Sequence, residues 1–135
     1  MADFESGRIK QLRDEQRDTQ KKSFTKWVND HLGVYSQSVE DVFEDLKDGL
    51  VLRSLLEIIS GEELPKLNKG NSKVHNVSNV SVSFDFLRRQ NMKLVGIGPE
   101  DIADGVPDLV LGLTWSIIHK YHINQIEIAF VSTTI

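Results

Sequence analysis

A chain of 135 residues, 39% hydrophobic and 27% charged, can bury a real core as one globular domain with some chain to spare. It contains no cysteine, which excludes a disulfide framework, thiol catalysis and a cysteine-based zinc site. The formal charge of −4 is unevenly spread: residues 8–26 carry seven bases and three acids, and residues 27–135 carry nine bases and fifteen acids.

A basic leading segment on an acidic body points either to an acidic partner for that segment or to a solvated helical face. Nucleic acid fits poorly, because the body is acidic and no aromatic residues interleave the basic run. The opening MADFESGRIKQ has no apolar stretch and does not read as a secretory signal. The longest nearly apolar run, Leu109 to Ile118, falls far short of the ~20 residues that span a bilayer, and it contains Thr114 and Ser116.

Residues 1–7 are expected to be disordered. From Arg8 to Leu32 the chain is rich in helix formers, and Gly33 is the expected C-cap. Asp14–Arg17 and Asp18–Lys22 are acid-before-base pairs at helical spacing. The apolar stripe begins only at Phe24 and continues through Trp27, Val28 and Leu32. One long helix with a packed C-terminal half and a polar N-terminal half follows from this. Ser38 to Phe43 reads as a helical turn with Ser38 and Asp41 at capping-box spacing. Asp48 can cap the next helix, Leu50 to Ile59, which is dense in Leu, Val and Ile and stops at Ser60-Gly61. GEELPKLNKGNSK reads as a loop.

Val80 to Phe86 alternates strictly between apolar and polar residues, which is a strand signal. Val77, Val80, Phe84 and Leu87 also fit a helix, so the residues alone leave the segment open with a lean to strand. Pro99-Glu100-Asp101-Ile102 is a short helix with proline at its start and acids in its first turn. Val106 to Ile123 is expected to be a helix with two apolar faces. Val110, Leu113 and Ile117 share one apolar face with Val106 and Tyr121. Leu111, Trp115 and Ile118 lie on the second face, although a tryptophan this far inside a domain is more often core. Residues 124–135 alternate weakly and read as a tail.

No constellation of catalytic residues stands out. His119 and His122 are three apart, but few acids lie nearby to complete a metal site. His31 and His75 read as structural. Gly96-Ile97-Gly98 begins like a dinucleotide loop, yet Asp101 stands where a third glycine is needed, and it reads as a turn. Glu40, Asp41, Glu44, Asp45 and Asp48 lack the spacing of a calcium loop and read as helix caps facing water. No enzyme, no cofactor and no metal are expected.

Five blocks carry a family resemblance. Gln20-Lys21-Lys22-Ser23-Phe24-Thr25-Lys26-Trp27-Val28-Asn29 is followed by Asp45-Leu46-Lys47-Asp48-Gly49 and by Leu64-Pro65-Lys66. Then come Ile97-Gly98-Pro99-Glu100-Asp101-Ile102 and Asp104-Gly105 with Leu111-Gly112-Leu113-Thr114-Trp115-Ser116-Ile117-Ile118. In this order they resemble the calponin homology domain, and specifically the first such domain of the spectrin, α-actinin, dystrophin and filamin group. The resemblance implies an all-α fold of four main helices with short connecting ones. It therefore implies a helix over Asn79 to Gln90. Val106 stands where the family has a polar cap, so the last helix is expected to start less firmly. The implied division is a flexible basic extension at residues 1–14, the domain at 15–123, and a tail or linker at 124–135.

The function that the resemblance implies is binding of filamentous actin by a cytoskeletal cross-linking or membrane-skeleton protein, as the first of a tandem pair. The alternative is a single domain used as a protein–protein scaffold or signalling module. Carried onto this chain, the implied contact residues on the first helix are Gln20, Lys21, Lys22, Thr25, Lys26 and Asn29. Those on the last helix are Leu111, Thr114, Trp115, Ile118, His119 and His122. A second calponin homology domain and a phosphoinositide are further implied partners, with a cytoplasmic place at the cytoskeleton or cell cortex. Lys21 and Lys22 precede the packed stripe, so their replacement by Glu is expected to spare the fold.

Overall fold

The computed structural model describes residues 2–123, with side chains from Gly7 to His122. The tail assigned to residues 124–135 lies outside the described residues. The described chain forms α1 (Ala2–Leu32), a 3-10 turn (Gly33–Tyr35), α2 (Val42–Asp45), α3 (Leu50–Ser60), α4 (Lys73–Arg89), α5 (Pro99–Ala103), α6 (Pro107–Ile118) and a π-helical turn (His119–Ile123). No strand occurs among the described residues, and the fold is all-α as expected.

Helix α1 has the two halves that its composition dictates. Ile9 and Leu12 are more than half exposed, whereas Val28 and Leu32 are fully buried. The helix also runs back through residues 2–14, where a flexible extension is expected from the sequence. Lone side-chain links such as Gln11 to Glu15 at 3.3 Å hold it there, together with helix-favouring composition. Helix α1 ends at Leu32, directly before Gly33, and the 3-10 turn that follows is closed by Ser36 in the left-handed conformation, at φ 56°. The turn placed at Ser38–Phe43 sits further along, because Asp41 rather than Ser38 is its cap and accepts from the Phe43 N–H at 2.9 Å.

Asp48 accepts from the Leu50 N–H at 2.9 Å and so supports the start of α3. Leu52, Leu55 and Leu56 of this helix are almost wholly buried. The segment with the lean to strand is helical from Lys73, six residues earlier than the resemblance implies, with Ser72 as its N-cap. Val80, Phe84 and Leu87 are all fully buried and follow one another at helical spacing. A single packed face outweighs the local preference of valine and serine for other conformations.

Polar groups join these helices where the backbone runs out of partners. Buried Asn79 on α4 donates to the carbonyls of Asp48 and Asn68, both at 3.0 Å, and accepts from the Asn68 N–H at 2.8 Å. Gly49, at φ +78°, lies so close that a Cβ on it would sit 2.7 Å from the Asn79 Cβ.

Helix α6 packs against α1, α2 and α5, while α3 packs against α1 and α4. Val106 caps α6 without a side-chain hydrogen bond, as its apolar side chain requires. Val110, Leu113 and Ile117 lie in the core, with Trp27 partly buried against the same cluster. The α-helical stretch ends at Ile118, and a π-helical turn follows from His119 to Ile123, the last described residue.

Candidate docking face

The contact residues expected on α1 and α6 divide into three kinds. Leu111, Thr114 and Ile118 are buried, at 5%, 2% and 8% exposure, and do not present a second apolar face to solvent. The Thr114 hydroxyl donates to the Val110 carbonyl at 2.9 Å. The reason is tertiary, since α6 is contacted by α1, α2 and α5. Trp115, expected on that second face although a tryptophan there is more often core, is 49% exposed.

A second group is engaged in holding the domain together. Lys21 reaches Asp41 at 3.0 Å, and its ammonium lies 4.3 Å from the centre of the Phe43 ring. It therefore ties α1 to the start of α2, so its replacement, expected to cost the fold little, removes one partly exposed ion pair and one cation–π contact. Burial raises the Asp41 carboxyl, but the hydrogen bond from Lys21, the Phe43 N–H and the Lys21 charge outweigh it and hold the group below its ordinary 3.8. Asn29 donates to the Val39 carbonyl at 2.9 Å and accepts from the Val39 N–H at 2.7 Å, pinning the loop before α2. The Thr25 hydroxyl donates to the Lys21 carbonyl at 2.6 Å.

The third group is exposed: Gln20, Lys22, Lys26, Trp115, His119 and His122. Lys26 meets Asp30 at 3.0 Å, both largely exposed, so the pair holds the cation only weakly. Lys21, Lys22 and Lys26 line a shallow concavity of about 650 Å³ on one side of α1, together with Asp18, Asp30 and Glu40.

The opposite side of α1 forms a groove of about 460 Å³ with α6, whose lining includes Gln20, Ser23, Phe24, Asp108, Leu111 and Trp115. Phe24 and Trp115 stack with ring centres 6.3 Å apart and planes 17° apart. The His119 ring lies 6.0 Å from that of Trp115. At one end of the groove Arg17 reaches Asp108, with Nε and Nη2 each 3.0 Å from the same carboxylate oxygen. Sequence reasoning misses Phe24, Arg17 and Asp108 as surface residues. Phe24 opens the apolar stripe and reads as core. Arg17 and Asp108 are 91 residues apart, with no signal linking them.

Trp27 lies behind this face, its ring 4.4 Å from His31 and edge-on to His122 at 6.4 Å. Among the described residues, no three of His, Cys, Asp and Glu gather to hold a metal ion. No helix there is long and apolar enough to cross a membrane.

The described domain is all-α, with a long first helix, basic over residues 8–26, in contact with an aromatic-bearing last helix. The calponin homology (CH) domain family matches residues 18–123, and the chain belongs to that family. It is 46% identical over 125 residues to the human spectrin beta chain, non-erythrocytic 4, a match that covers 93% of this chain and 5% of that protein. It is 46% identical over 125 residues to a Drosophila melanogaster spectrin beta chain, covering 93% of this chain and 6% of the other. It is likewise 46% identical over 121 residues to the rat microtubule-actin cross-linking factor 1, covering 90% of this chain and 2% of the other. The chain thus spans only a small part of the length of the curated relatives it matches.

Proposed function

We propose that this domain binds filamentous actin as a non-enzymatic module of a cytoskeletal cross-linking or membrane-skeleton protein. The observation that carries the reading is 46% identity, over 90% of the chain, to a relative named microtubule-actin cross-linking factor 1. The chemistry of the face agrees with it. The exposed cations of α1, Lys22 and Lys26, supply attraction to an acidic filament. Trp115 with Phe24 supplies rigid apolar contact area. The scaffold alternative has no comparable support. Two finer statements belong to the same proposal: the domain is the first of a tandem pair, and it works at the cytoskeleton or cell cortex, where a phosphoinositide is a further contact for its basic helix.

Cosedimentation with filamentous actin across a salt series tests this. The domain should pellet with actin at low salt and progressively less as salt screens its cations. Failure to pellet at any salt, with a following domain supplied as well, would overturn the proposal.

A further inference from the structure

Arg17 and Asp108 meet at the end of the groove between α1 and α6, and they do little for the fold. Asp108 is 68% exposed and Arg17 29%, a setting in which an ion pair contributes little to stability. Asp14 adds a longer contact to Arg17 at 3.8 Å. What the pair does change is the charge of the face. Asp108 lines the groove together with Gln20, Ser23, Phe24 and Trp115. It is the acid of the first turn of α6, and it takes up a cation of the basic helix that would otherwise face outward.

We propose that Asp108 is a negative determinant of partner affinity, an internal counter-charge that masks Arg17 from the acidic partner of this face. The proposal rests on the actin reading above. Both Nε and Nη2 of Arg17 donate to one oxygen of the carboxylate. Removing the carboxylate charge therefore releases the guanidinium toward a partner's carboxylates, for which its planar fork is well suited. Removing Arg17 instead leaves an uncompensated acid on the face. The domain is in this sense built below its maximal affinity, and the size of the deficit is set by one side chain.

The test is actin cosedimentation at low and moderate salt with the wild-type domain and four variants: Asp108→Asn, Arg17→Gln, the two together, and Asp85→Asn. Asp85 is an exposed acid on α4 that faces Arg88 at 3.6 Å, so its substitution makes the same net change of charge away from the groove. Asp108→Asn should bind roughly three-fold tighter and Arg17→Gln roughly three-fold weaker, the scale of one partly screened charge. The double variant should fall between them, and Asp85→Asn should match the wild type. Thermal unfolding should move little in any variant. An Asp108→Asn domain no tighter than wild type overturns the proposal, as does an equal gain from Asp85→Asn, which would make the effect one of bulk charge. Weaker binding in all three groove variants together with lower melting temperatures also overturns it, since the pair would then be structural. A wild-type domain that does not pellet defeats the actin reading first, whereas one that pellets but ignores Asp108→Asn defeats this inference alone.

Discussion

The junction around Asn79 and the exposed surface of α1 both carry polar groups, yet they are built on opposite terms. At the junction, one buried amide makes three hydrogen bonds of 2.8 to 3.0 Å and joins α4 to the turn before α3 and to the following loop. Nothing there can be exchanged, because each group removed leaves a partner buried and unpaired. Along α1, Lys22 is exposed, Lys26 is held only by an exposed acid, and Arg17 by another. Such pairs can open toward a partner at small cost. One region specifies the fold, and the other keeps its charges available for binding.

The largest effect should come from Gly49→Ala at the junction. The left-handed backbone penalty and the 2.7 Å approach to Asn79 together should cost about 3 kcal/mol or more. Urea unfolding would measure it, and a loss below about 1 kcal/mol would show that the junction yields more readily than its contacts indicate.

A smaller effect of opposite sign is expected one turn along α4. Ser83 is fully buried, and its hydroxyl has no hydrogen-bond partner. Ser83→Ala should therefore stabilise the domain by about 1 kcal/mol with actin binding unchanged. A destabilised variant would place an unseen partner, such as a buried water, on that hydroxyl.

The smallest effect concerns Lys21, which belongs by position to the face and by contact to the fold. The Asp41 carboxyl titrates lower in the folded state than its ordinary 3.8. Its contribution to stability is therefore present above that ordinary value and is lost as pH falls through the lower folded value. Lys21→Met should be less stable than wild type at neutral pH, and the difference should shrink in acid. Urea unfolding at both pH values would check it. An unchanged difference would assign the loss to the packing of the Lys21 stem against Phe43 instead of to charge.

Much of this architecture is legible in the amino-acid sequence. The late onset of the apolar stripe in α1 foretells its projecting polar half. The apolar density of residues 50–59 foretells a central helix, and the motif blocks foretell the family and the all-α fold. The Val80–Phe86 segment is not legible from its own residues, because alternation satisfies a strand, and part of it a helix, equally well. The face is the least legible part. Leu111 and Ile118 look available because an apolar side chain in sequence carries no record of which neighbour will cover it. Lys21 looks free because Asp41 and Phe43 lie far along the chain, beyond the reach of any helical spacing.

By itself, then, the sequence determined which stretches could form helices and which side chains were apolar enough to need burial. Those properties follow from local backbone preference and from periodicity. Which apolar residue stays outside, and which charge is already matched, was decided only when α1 came to lie along α6. In the packed domain Leu111 and Ile118 are buried, Trp115 stays half in water, and Arg17 is set against Asp108. Burial and ion pairing belong to surfaces brought together in space, and a docking face is made of what that packing leaves over.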